Sequence, residues 1–441
     1  MKLILIAGFI FLGSMSISAK SISTFSDYLD PTFNLKKNNR KCISLGDPSS
    51  GIFVKNERVV DADLIKEIPG YAKNANIKGG LGGKILVVTN LQDYDPNEKN
   101  SYINGSLRAI LDIARSINEP SWIIFDKDLD GGIISLAAPL RPPSNITLDG
   151  GCSSVTILSP DHIGQLYIFD VQNVIVSNIT FRMFPGEKNK SGQSCIRVNG
   201  NIDAIAIVHN EISNCGDGAI DVTISPNKSI STKGRLTIAY NLIFNHDKVM
   251  LFGTFSCKIR PDKCTEVDTL DNQLRSPYLY LTLYGNLFYR TGQRHPRVFG
   301  RVMLHAINNI IIFEKRPQRN GGLGSTYGIF VSNGARALIE NNVFIPLNDD
   351  GRPARVIWTT NTPGADQMKD DSPGFIKQID NTVMGQGVNE DSKPWLVNYP
   401  NYNEPLKKLI LNNRSINDVI SCVWSRAGVY GNSNWQNHNC N

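Results

Sequence analysis

Five charged residues, grouped in three short segments, are the ones whose types and spacing could do chemistry. Asp217 and Asp221 lie four residues apart in a short predicted strand, so their carboxylates share one face. Lys248 lies in the second segment, and Arg294 and Arg297 lie in the third. Carboxylates among cations can hold a metal ion, bind an acidic ligand or transfer protons. Each segment taken alone is better explained by solvated charges and surface salt bridges, so their combination is what matters.

A repeated strand–bend–strand pattern indicates how these segments come together. From about residue 145, short β-branched and aromatic runs are interrupted by asparagine at intervals of 23 to 45 residues. The aligned asparagines are Asn178, Asn210, Asn241, Asn286, Asn309 and Asn342. An all-strand unit at this period predicts an all-β solenoid, here a right-handed parallel β-helix whose bore is filled by apolar side chains. Stacking of successive coils would bring the five charged residues together. A β-sandwich with coincidental asparagine turns is the alternative fold.

The asparagines fit the bends of such coils for two reasons. Asparagine tolerates left-handed backbone geometry, and its side chain can hydrogen-bond to the copy one coil above. Segment 103–117 has apolar residues at helical spacing behind Ser106, which predicts an N-capped helix that closes one end of the bore. The largest insertion between coils is 254–277, and long loops are expected on the solenoid.

The chain divides into four predicted parts. Residues 1–19 resemble a signal peptide, with Lys2 before an apolar run and small residues up to Ala19. Residues 20–69 form a polar N-terminal strap, 70–359 the parallel β-helix, and 360–441 a C-terminal wrap packed on it.

Composition indicates a secreted globular protein. The 441 residues are 41% hydrophobic and 20% charged with a net charge of +6, which excludes a disordered or collagen-like chain. Six Asn-x-Ser/Thr sequons fit an extracellular glycoprotein and are Asn104, Asn145, Asn178, Asn189, Asn227 and Asn413. After the first 20 residues no apolar run is long enough to span a membrane.

The eight cysteines allow up to four disulfide bonds, whose pairing the sequence does not fix. Cys257 and Cys264 are close enough to staple one loop, and Cys422 and Cys440 could tie down the C-terminal tail. No cysteine or histidine cluster has the spacing of a zinc site.

Several segments resemble the pectate lyase and pectin lyase family, which cleaves homogalacturonan by β-elimination. The matches cover about residues 70–345 and occur in the family's order. The matching segments are Gly79–Thr89, Gly105–Ala109, Ile123–Asp126, Asn214–Asp221, His246–Gly253 and Gly292–Asn309. Asn214–Asp221 and His246–Gly253 are similar to pectate lyase calcium and substrate motifs, and 298–309 is closest to pectin lyases.

This resemblance implies a role for each charged residue. Asp217 and Asp221 would hold Ca²⁺, Lys248 would bind a substrate carboxylate, and Arg294 would abstract the C5 proton. Arg297 would bind substrate or position Arg294. The substrate expected from it is polygalacturonate or pectin. We also expect a monomer, with neither a nucleic acid nor a membrane as partner.

Two departures from the pectate lyase pattern are expected to matter. Where those enzymes supply another calcium carboxylate, this chain reads Ser-Gly-Gln-Ser, with Gln193 at the replaced position. Where many have a third arginine, this chain has Phe299, and the nearby Arg301 need not point the same way. Since Ca²⁺ prefers six to eight oxygen ligands, substrate would be needed to complete the site.

Other functions remain open at this point. A pectin lyase would act on methyl-esterified polymer without metal, and a wall protein that has lost catalysis would only bind pectin. A β-helical hydrolase would use Asp217 and Asp221 as acid and base, although Lys248 and Arg294 would lower the pKa of an acid there. The positive charge forms no concentrated stripe of the kind that nucleic-acid binding needs.

Overall fold

Each coil of the chain contributes one strand to each of three parallel sheets. The computed structural model describes residues 54–55, 58–59, 63–98, 101–151, 155–187, 189–224, 234–254, 279–318, 322–347, 355–359, 374–383, 423 and 427–428. Within these, strands three apart in sequence pair in parallel along most of the fold, which makes the architecture a right-handed parallel β-helix. The predicted fold class is confirmed.

The strands of the three sheets are as follows. The ten-stranded sheet holds β3 (Lys84–Val88), β4 (Ser121–Phe125), β6 (Ile146–Asp149), β9 (Gln172–Ser177), β12 (Asp203–Val208), β15 (Gly234–Ala239), β18 (Leu279–Tyr284), β21 (Val302–Ile307), β24 (Arg336–Glu340) and β27 (Phe375–Ile379). The nine-stranded sheet holds β5 (Ile133–Ser135), β7 (Thr156–Pro160), β10 (Thr180–Phe184), β13 (Glu211–Ser213), β16 (Leu242–Lys248), β19 (Leu287–Gln293), β22 (Ile310–Phe313), β25 (Val343–Pro346) and β28 (Thr382–Val383). The seven-stranded sheet holds β8 (Leu166–Phe169), β11 (Ile196–Asn199), β14 (Ile220–Ile224), β17 (Met250–Thr254), β20 (Arg297–Phe299), β23 (Tyr327–Ser332) and β26 (Arg355–Thr359).

The remaining elements are short. Strands β1 (Val54–Lys55) and β2 (Arg58–Val59) form an antiparallel pair. The helices are α1 (Asp63–Glu67), α2 (Gly70–Asn74) and α3 (Leu107–Ile117), with a 3₁₀ turn at Lys127–Leu129. None of these described helices is long and apolar enough to cross a membrane.

Side chains of each strand alternate between the bore and the outer face. On the seven-stranded sheet, for example, Ile196, Ile220 and Met250 stack in the bore in consecutive coils and are fully buried. One continuous apolar cluster runs through the bore from Val88 to Ile376. The outer face of this sheet is therefore the surface on which the polar candidates can lie.

Helix α3 closes the bore as predicted. Ser106 has an extended backbone and its hydroxyl accepts a hydrogen bond from the Ala109 N–H at 3.2 Å. Leu107, Leu111 and Ala114 are buried within the bore cluster. The cap thus satisfies one free N–H of the first turn, while the apolar face covers the open end of the core.

Helix α2 and the residues after it pack on the outer face of the ten-stranded sheet. The backbone N–H groups of Tyr71, Ala72 and Gly80 donate to the hydroxyls of Thr282, Thr237 and Thr147, respectively. Gly70 has φ +68°, and a Cβ there would lie 2.1 Å from the Thr282 hydroxyl oxygen, so only glycine allows this close approach.

A ladder of buried asparagines sets the bend between the ten- and nine-stranded sheets. At each step the side-chain oxygen of one asparagine accepts from the N–H and the amide of its copy one coil before, at 2.8–3.1 Å. The ladder consists of Asn210, Asn241, Asn286, Asn309, Asn342 and Asn381. The predicted contact between asparagine copies is therefore present.

The left-handed residue of each bend is the one before the ladder, not the ladder asparagine. Positive φ values of 51° to 60° occur at Asn178, His209, Tyr240, Gly285, Asn308 and Asn341. The prediction is thus wrong in two details. Ladder asparagines are absent from the left-handed set, and Asn178 belongs to the column before the ladder, where Ile179 takes the ladder position and its N–H donates to Asn210.

Some predictions fall outside the described residues. These are the signal peptide, nearly all of the strap, the insertion 254–277 apart from its first residue, and most of the C-terminal wrap, together with Cys257, Cys264, Cys422 and Cys440. Coil strands continue to Val383. The four domain boundaries stay predictions.

Removing one rung of the ladder should destabilise the fold. Asn286→Ala removes the acceptor of the Asn241 N–H and the donor to the Ile238 carbonyl, and both groups are buried. Because unsatisfied buried polar groups cost about 1–3 kcal/mol each, we expect urea unfolding to show a loss of roughly 3 kcal/mol. Asn97→Ala, in an exposed loop, is the control. Equal midpoints for the two variants would contradict a stabilising ladder.

Candidate active site

The five predicted residues meet where three consecutive coils turn from the nine- to the seven-stranded sheet. Asp217 lies in the turn between β13 and β14, and Asp221 lies on β14. Lys248 ends β16, and Arg294 lies between β19 and β20. Backbone hydrogen bonds stack these turns directly, from the Val249 N–H to the Gln293 carbonyl and from the Met250 N–H to the Arg294 carbonyl, both at 2.9 Å.

Asp221 is a buried carboxylate held by two donors. It is 4% exposed. The Leu251 N–H donates to Oδ1 at 2.9 Å, and the Ser194 hydroxyl donates to Oδ2 at 2.6 Å. The carboxylate also packs against Gly218, where a Cβ would lie 2.2 Å from Oδ1. The glycine after Asp217 therefore leaves the space that Asp221 occupies.

The ionised form of Asp221 is less favourable in this buried position than in water. Burial, and then the negative charge of Asp217, raise its pKa to about 6, against the opposing effects of the Ser194 hydrogen bond, the Arg294 charge and the Leu251 N–H. Because the two carboxylates repel each other, a cation bound between them would be stabilised.

Asp217 and Lys248 form an ion pair at the surface of the site. Lys248 Nζ lies 3.0 Å from Asp217 Oδ1, and both side chains are about one-third exposed. An ion pair this exposed is weak, so the ammonium can exchange Asp217 for another carboxylate at little cost. His246 Nε2 donates to the Asp217 carbonyl at 2.8 Å. Burial lowers the pKa of His246 to about 4, so the ring is neutral near pH 7 and supports Asp217 without adding charge.

Arg294 lies at the centre of the site, in a turn with an unusual backbone conformation. Its φ of +66° is in the left-handed region, which a side-chain-bearing residue adopts at some cost. Its Nε is buried and has no hydrogen-bond partner among the described residues. The guanidinium charge acts on Tyr327, Asp221 and Asp247.

A buried histidine fixes the turn that carries Arg294. His295 Nδ1 donates to the Tyr327 carbonyl at 2.8 Å, and its Nε2 lies 2.7 Å from the Thr291 hydroxyl. Burial lowers the pKa of His295 to about 4, so the ring stays neutral and takes no part in proton exchange near neutral pH. Tyr327 thus supports this turn through its backbone carbonyl.

Arg297 lies on the outer face of the seven-stranded sheet, in register with Leu251 and, one coil earlier, Asp221. Its guanidinium carbon lies 4.9 Å from the centre of the Phe330 ring. A cation on an aromatic face is attracted to the ring, and this attraction fixes the place of the guanidinium beside the site.

The two departures from the family pattern also lie here. The Gln193 carbonyl accepts from the Asp217 N–H, so Gln193 is directly beneath Asp217, and its amide oxygen accepts from the Tyr167 hydroxyl at 3.2 Å. The Phe299 ring packs over Gly253, where a Cβ would be 2.2 Å from it. Arg301 lies after β20, in the turn to the ten-stranded sheet.

A disulfide bond joins the coil that carries both carboxylates to the coil before it. Cys195 and Cys215 are bonded, and each is close in sequence to a site residue: Cys195 follows Ser194, and Cys215 precedes Gly216 and Asp217. This cross-link fixes the position of Asp217 relative to Gln193 in the preceding coil. It likewise fixes Asp221 relative to Ser194.

The donor set suits a hard cation that binds through oxygen. Asp217 and Asp221 offer four carboxylate oxygens, and the raised pKa of Asp221 shows that a positive charge would be favourable beside it. Within the described residues, no group of three or more histidine, cysteine, aspartate or glutamate residues is arranged to hold a metal. A Ca²⁺ ion at this place would need further oxygens from water or from a ligand.

A comparison with models of protein families identifies the family to which this chain belongs. A family model described as pectate lyase matches residues 49–352. The chain belongs to the pectate lyase family. The resemblance found in the sequence is confirmed.

Relatives and solved structures agree with this family. Pectate lyase 1 of Cryptomeria japonica is 28% identical over 287 residues, which are 62% of this chain and 64% of that protein. The pectate lyase of Zinnia elegans is 33% identical over 198 residues, 42% of this chain and 44% of that one. The chain thus spans less than two thirds of the length of these curated relatives.

Two solved structures share the fold. The crystal structure of jun a 1, the major allergen from cedar pollen, superposes with a TM-score of 0.58 at 22% identity, over 83% of this chain and 94% of that one. Pectate lyase Bsp165PelA from Bacillus sp. N165, in complex with trigalacturonate, gives a TM-score of 0.52 at 17% identity, over 82% and 99%. At these identities the likeness shows the fold alone.

Sequence reasoning located the five charged residues but missed their supports. Ser194 was visible only as part of a departure from the pectate lyase pattern, although its hydroxyl holds Asp221. His295 and Asp247 lie in segments that resemble the family, but the sequence assigned them no role. Tyr327 follows a long connection and belongs to no motif, so no sequence signal could have assigned it.

Stability of the metal-free protein should depend on the charge of Asp221. Because its folded-state pKa is raised, ionisation of Asp221 disfavours the folded state. The protonated carboxyl carries no such cost, so the free energy of unfolding is highest below pH 4 and falls as the pH rises through about 6. Asp221→Asn removes that cost and should therefore be more stable than wild type at pH 8, by about 3 kcal/mol, with no advantage at pH 4. Urea unfolding in a chelator measures this, with the exposed Asp128→Asn as control. A constant difference across pH would contradict the assignment.

Proposed function

We propose that the protein is a secreted lyase that cleaves homogalacturonan by calcium-assisted β-elimination and releases unsaturated oligogalacturonides. The observation that carries the proposal is the meeting of buried Asp221 and half-buried Asp217 with Lys248, Arg294 and Arg297 on one outer face. Membership of the pectate lyase family supports the same reaction. The predicted signal peptide and sequons support secretion, and the outer face of one chain suffices for the site, which fits a monomer.

The chain's own groups match the steps of β-elimination. In this proposal Arg294 accepts the proton from C5 of a galacturonate unit, and the C–H electron pair forms the C4–C5 double bond. The C4–O bond breaks, and the leaving oxygen takes a proton from water. A guanidinium ordinarily keeps its proton, which makes arginine an unusual general base.

Charge develops on the uronate carboxylate as the C5 proton leaves, and positive groups must stabilise it. Asp217 and Asp221 would hold Ca²⁺, which when bound withdraws electron density from the substrate carboxylate. Lys248 would leave its exposed pair with Asp217 to bind that carboxylate, and Arg297 would bind one from its place on Phe330. Since Gln193 replaces a third carboxylate, we expect calcium and substrate to bind together.

The acidic polymer is favoured over its methyl ester because the site presents three cations. Bsp165PelA, which shares the fold, forms a complex with trigalacturonate, an acidic ligand of the same class. Two features favour the alternative of a metal-independent pectin lyase: the neutral Gln193 and the aromatic Phe299 stand where pectate lyases carry charge. A pectin-binding protein without catalysis is the other alternative.

Replacing the base should abolish the reaction without loss of structure. Arg294→Lys keeps the charge but shortens the reach, so we expect kcat on polygalacturonate with Ca²⁺ to fall at least 100-fold, a size common for loss of a general base. Arg290→Lys is the matched control, since Arg290 lies on β19, which leads into Arg294, and pairs with Glu314 at 2.9 Å. Product is measured by ultraviolet absorbance. Similar rates for both variants would rule out Arg294 as the base.

Tyr327 should act as a positioning residue for Arg294. Tyr327→Phe keeps the ring packing and the carbonyl that His295 uses, and removes only the hydroxyl on which the Arg294 charge acts. We expect kcat to fall about tenfold with KM nearly unchanged, because misplacement of a reacting group slows chemistry more than binding. Tyr280→Phe, on the ten-stranded sheet, is the control. A change in KM or thermal midpoint alone would indicate a purely structural role.

A further inference from the structure

The outer face of the seven-stranded sheet continues beyond the candidate site as a stack of rings and guanidinium groups. Arg297, Phe330 and Trp358 are register partners in three consecutive coils. The Phe330 and Trp358 rings are stacked, with centroids 3.8 Å apart and an interplanar angle of 7°. Arg297 covers Phe330 on the side of the site.

A second arginine covers the far end of this stack. The guanidinium carbon of Arg355 lies 4.4 Å from the centre of the Trp358 ring. Arg355 is exposed, and it is in register with Tyr327, whose carbonyl supports the turn of Arg294. Arg355 therefore lies at the same corner of the coil as the candidate site, one coil beyond Tyr327. No carboxylate pairs with it in the part of the chain that the structure describes.

The stack holds two guanidinium groups at a fixed separation along the axis. Arg297 and Arg355 bracket two stacked rings, and neighbouring strands are about 4.8 Å apart. A guanidinium that lies flat on a ring turns its N–H edge outward, and that edge matches a carboxylate in bidentate geometry. A polyuronate presents one carboxylate per sugar, so a chain along this face passes both arginines.

We propose that Arg355 binds a carboxylate of the same polyuronate chain that occupies the reaction centre, in an additional subsite beyond Arg297. This inference rests on the proposed function. It extends the binding face by two coils in the direction of β26, and it assigns Phe330 and Trp358 as the rigid spacer between two uronate-binding guanidinium groups. Ligands too short to reach β26 gain nothing from this subsite.

The test compares affinity for short and long ligands in the full chain. Calorimetric titrations with trigalacturonate and with long oligogalacturonates, in the presence of Ca²⁺, use the Arg294→Lys background so that the ligand is not consumed. Arg355→Ala should bind the trimer as the parent does and the long ligand about three- to tenfold more weakly, as expected for one exposed charge pair. Arg355→Lys should retain part of the gain. Lys377→Ala, an exposed cation on β27 of the ten-stranded sheet, is the control.

The outcomes separate this inference from the proposed function. A length-dependent loss confined to Arg355→Ala, larger at low salt, supports the subsite. Equal affinities of Arg355→Ala and parent for every length overturn it, as does an equal loss at every length, which would indicate that Arg355 only packs on Trp358. Failure of the parent to bind any oligogalacturonate, together with no product from wild type, would instead reject the proposed function.

Discussion

The whole structure depends on the chain turning at the same place in every coil. One left-handed residue bends the chain from the ten- to the nine-stranded sheet, and the buried asparagine after it ties that bend to the bends above and below. Because strand register is fixed there, side chains of successive coils fall into straight columns on each face. An error of one residue would move a whole column from the outer face into the bore, so the ladder determines the site as much as the core.

The same register creates the electrostatic strain of the site. Asp221 is placed on an outer face, yet it is covered by Ser194, Gly218 and the next coil, and Asp217 stands beside it. The arrangement leaves negative charge beside which a cation would be stabilised, and the cations Lys248, Arg294 and Arg297 lie at its edge. The Cys195–Cys215 bond and the neutral rings of His246 and His295 keep these groups in place without adding charge of their own.

Much of the fold could be predicted from sequence because its determinants are local and repeated. Alternating apolar runs and recurrent asparagines predicted the coils, and Ser106 predicted the start of α3. The detail that failed was which bend residue is left-handed, since asparagine is suited both to that geometry and to the ladder. The supports of the site could not be predicted: Tyr327 reaches the turn of Arg294, and Ser194 reaches Asp221, through coil stacking that leaves no motif. The pairing of Cys195 with Cys215 was one of many that eight cysteines allow.

The proposed reaction is elimination across the C4–O bond of an acidic polyuronate, carried out by the charged groups of this face with the help of calcium. Its most direct test is the ultraviolet absorbance of full-length protein mixed with polygalacturonate, first with Ca²⁺, then with excess chelator, and then with Ca²⁺ restored. A calcium-assisted lyase should give a steady rise in absorbance that the chelator stops and calcium restores, with a slower rise on methyl-esterified pectin. No rise under any of these conditions, or an undiminished rise in chelator with preference for the ester, would contradict the proposed reaction.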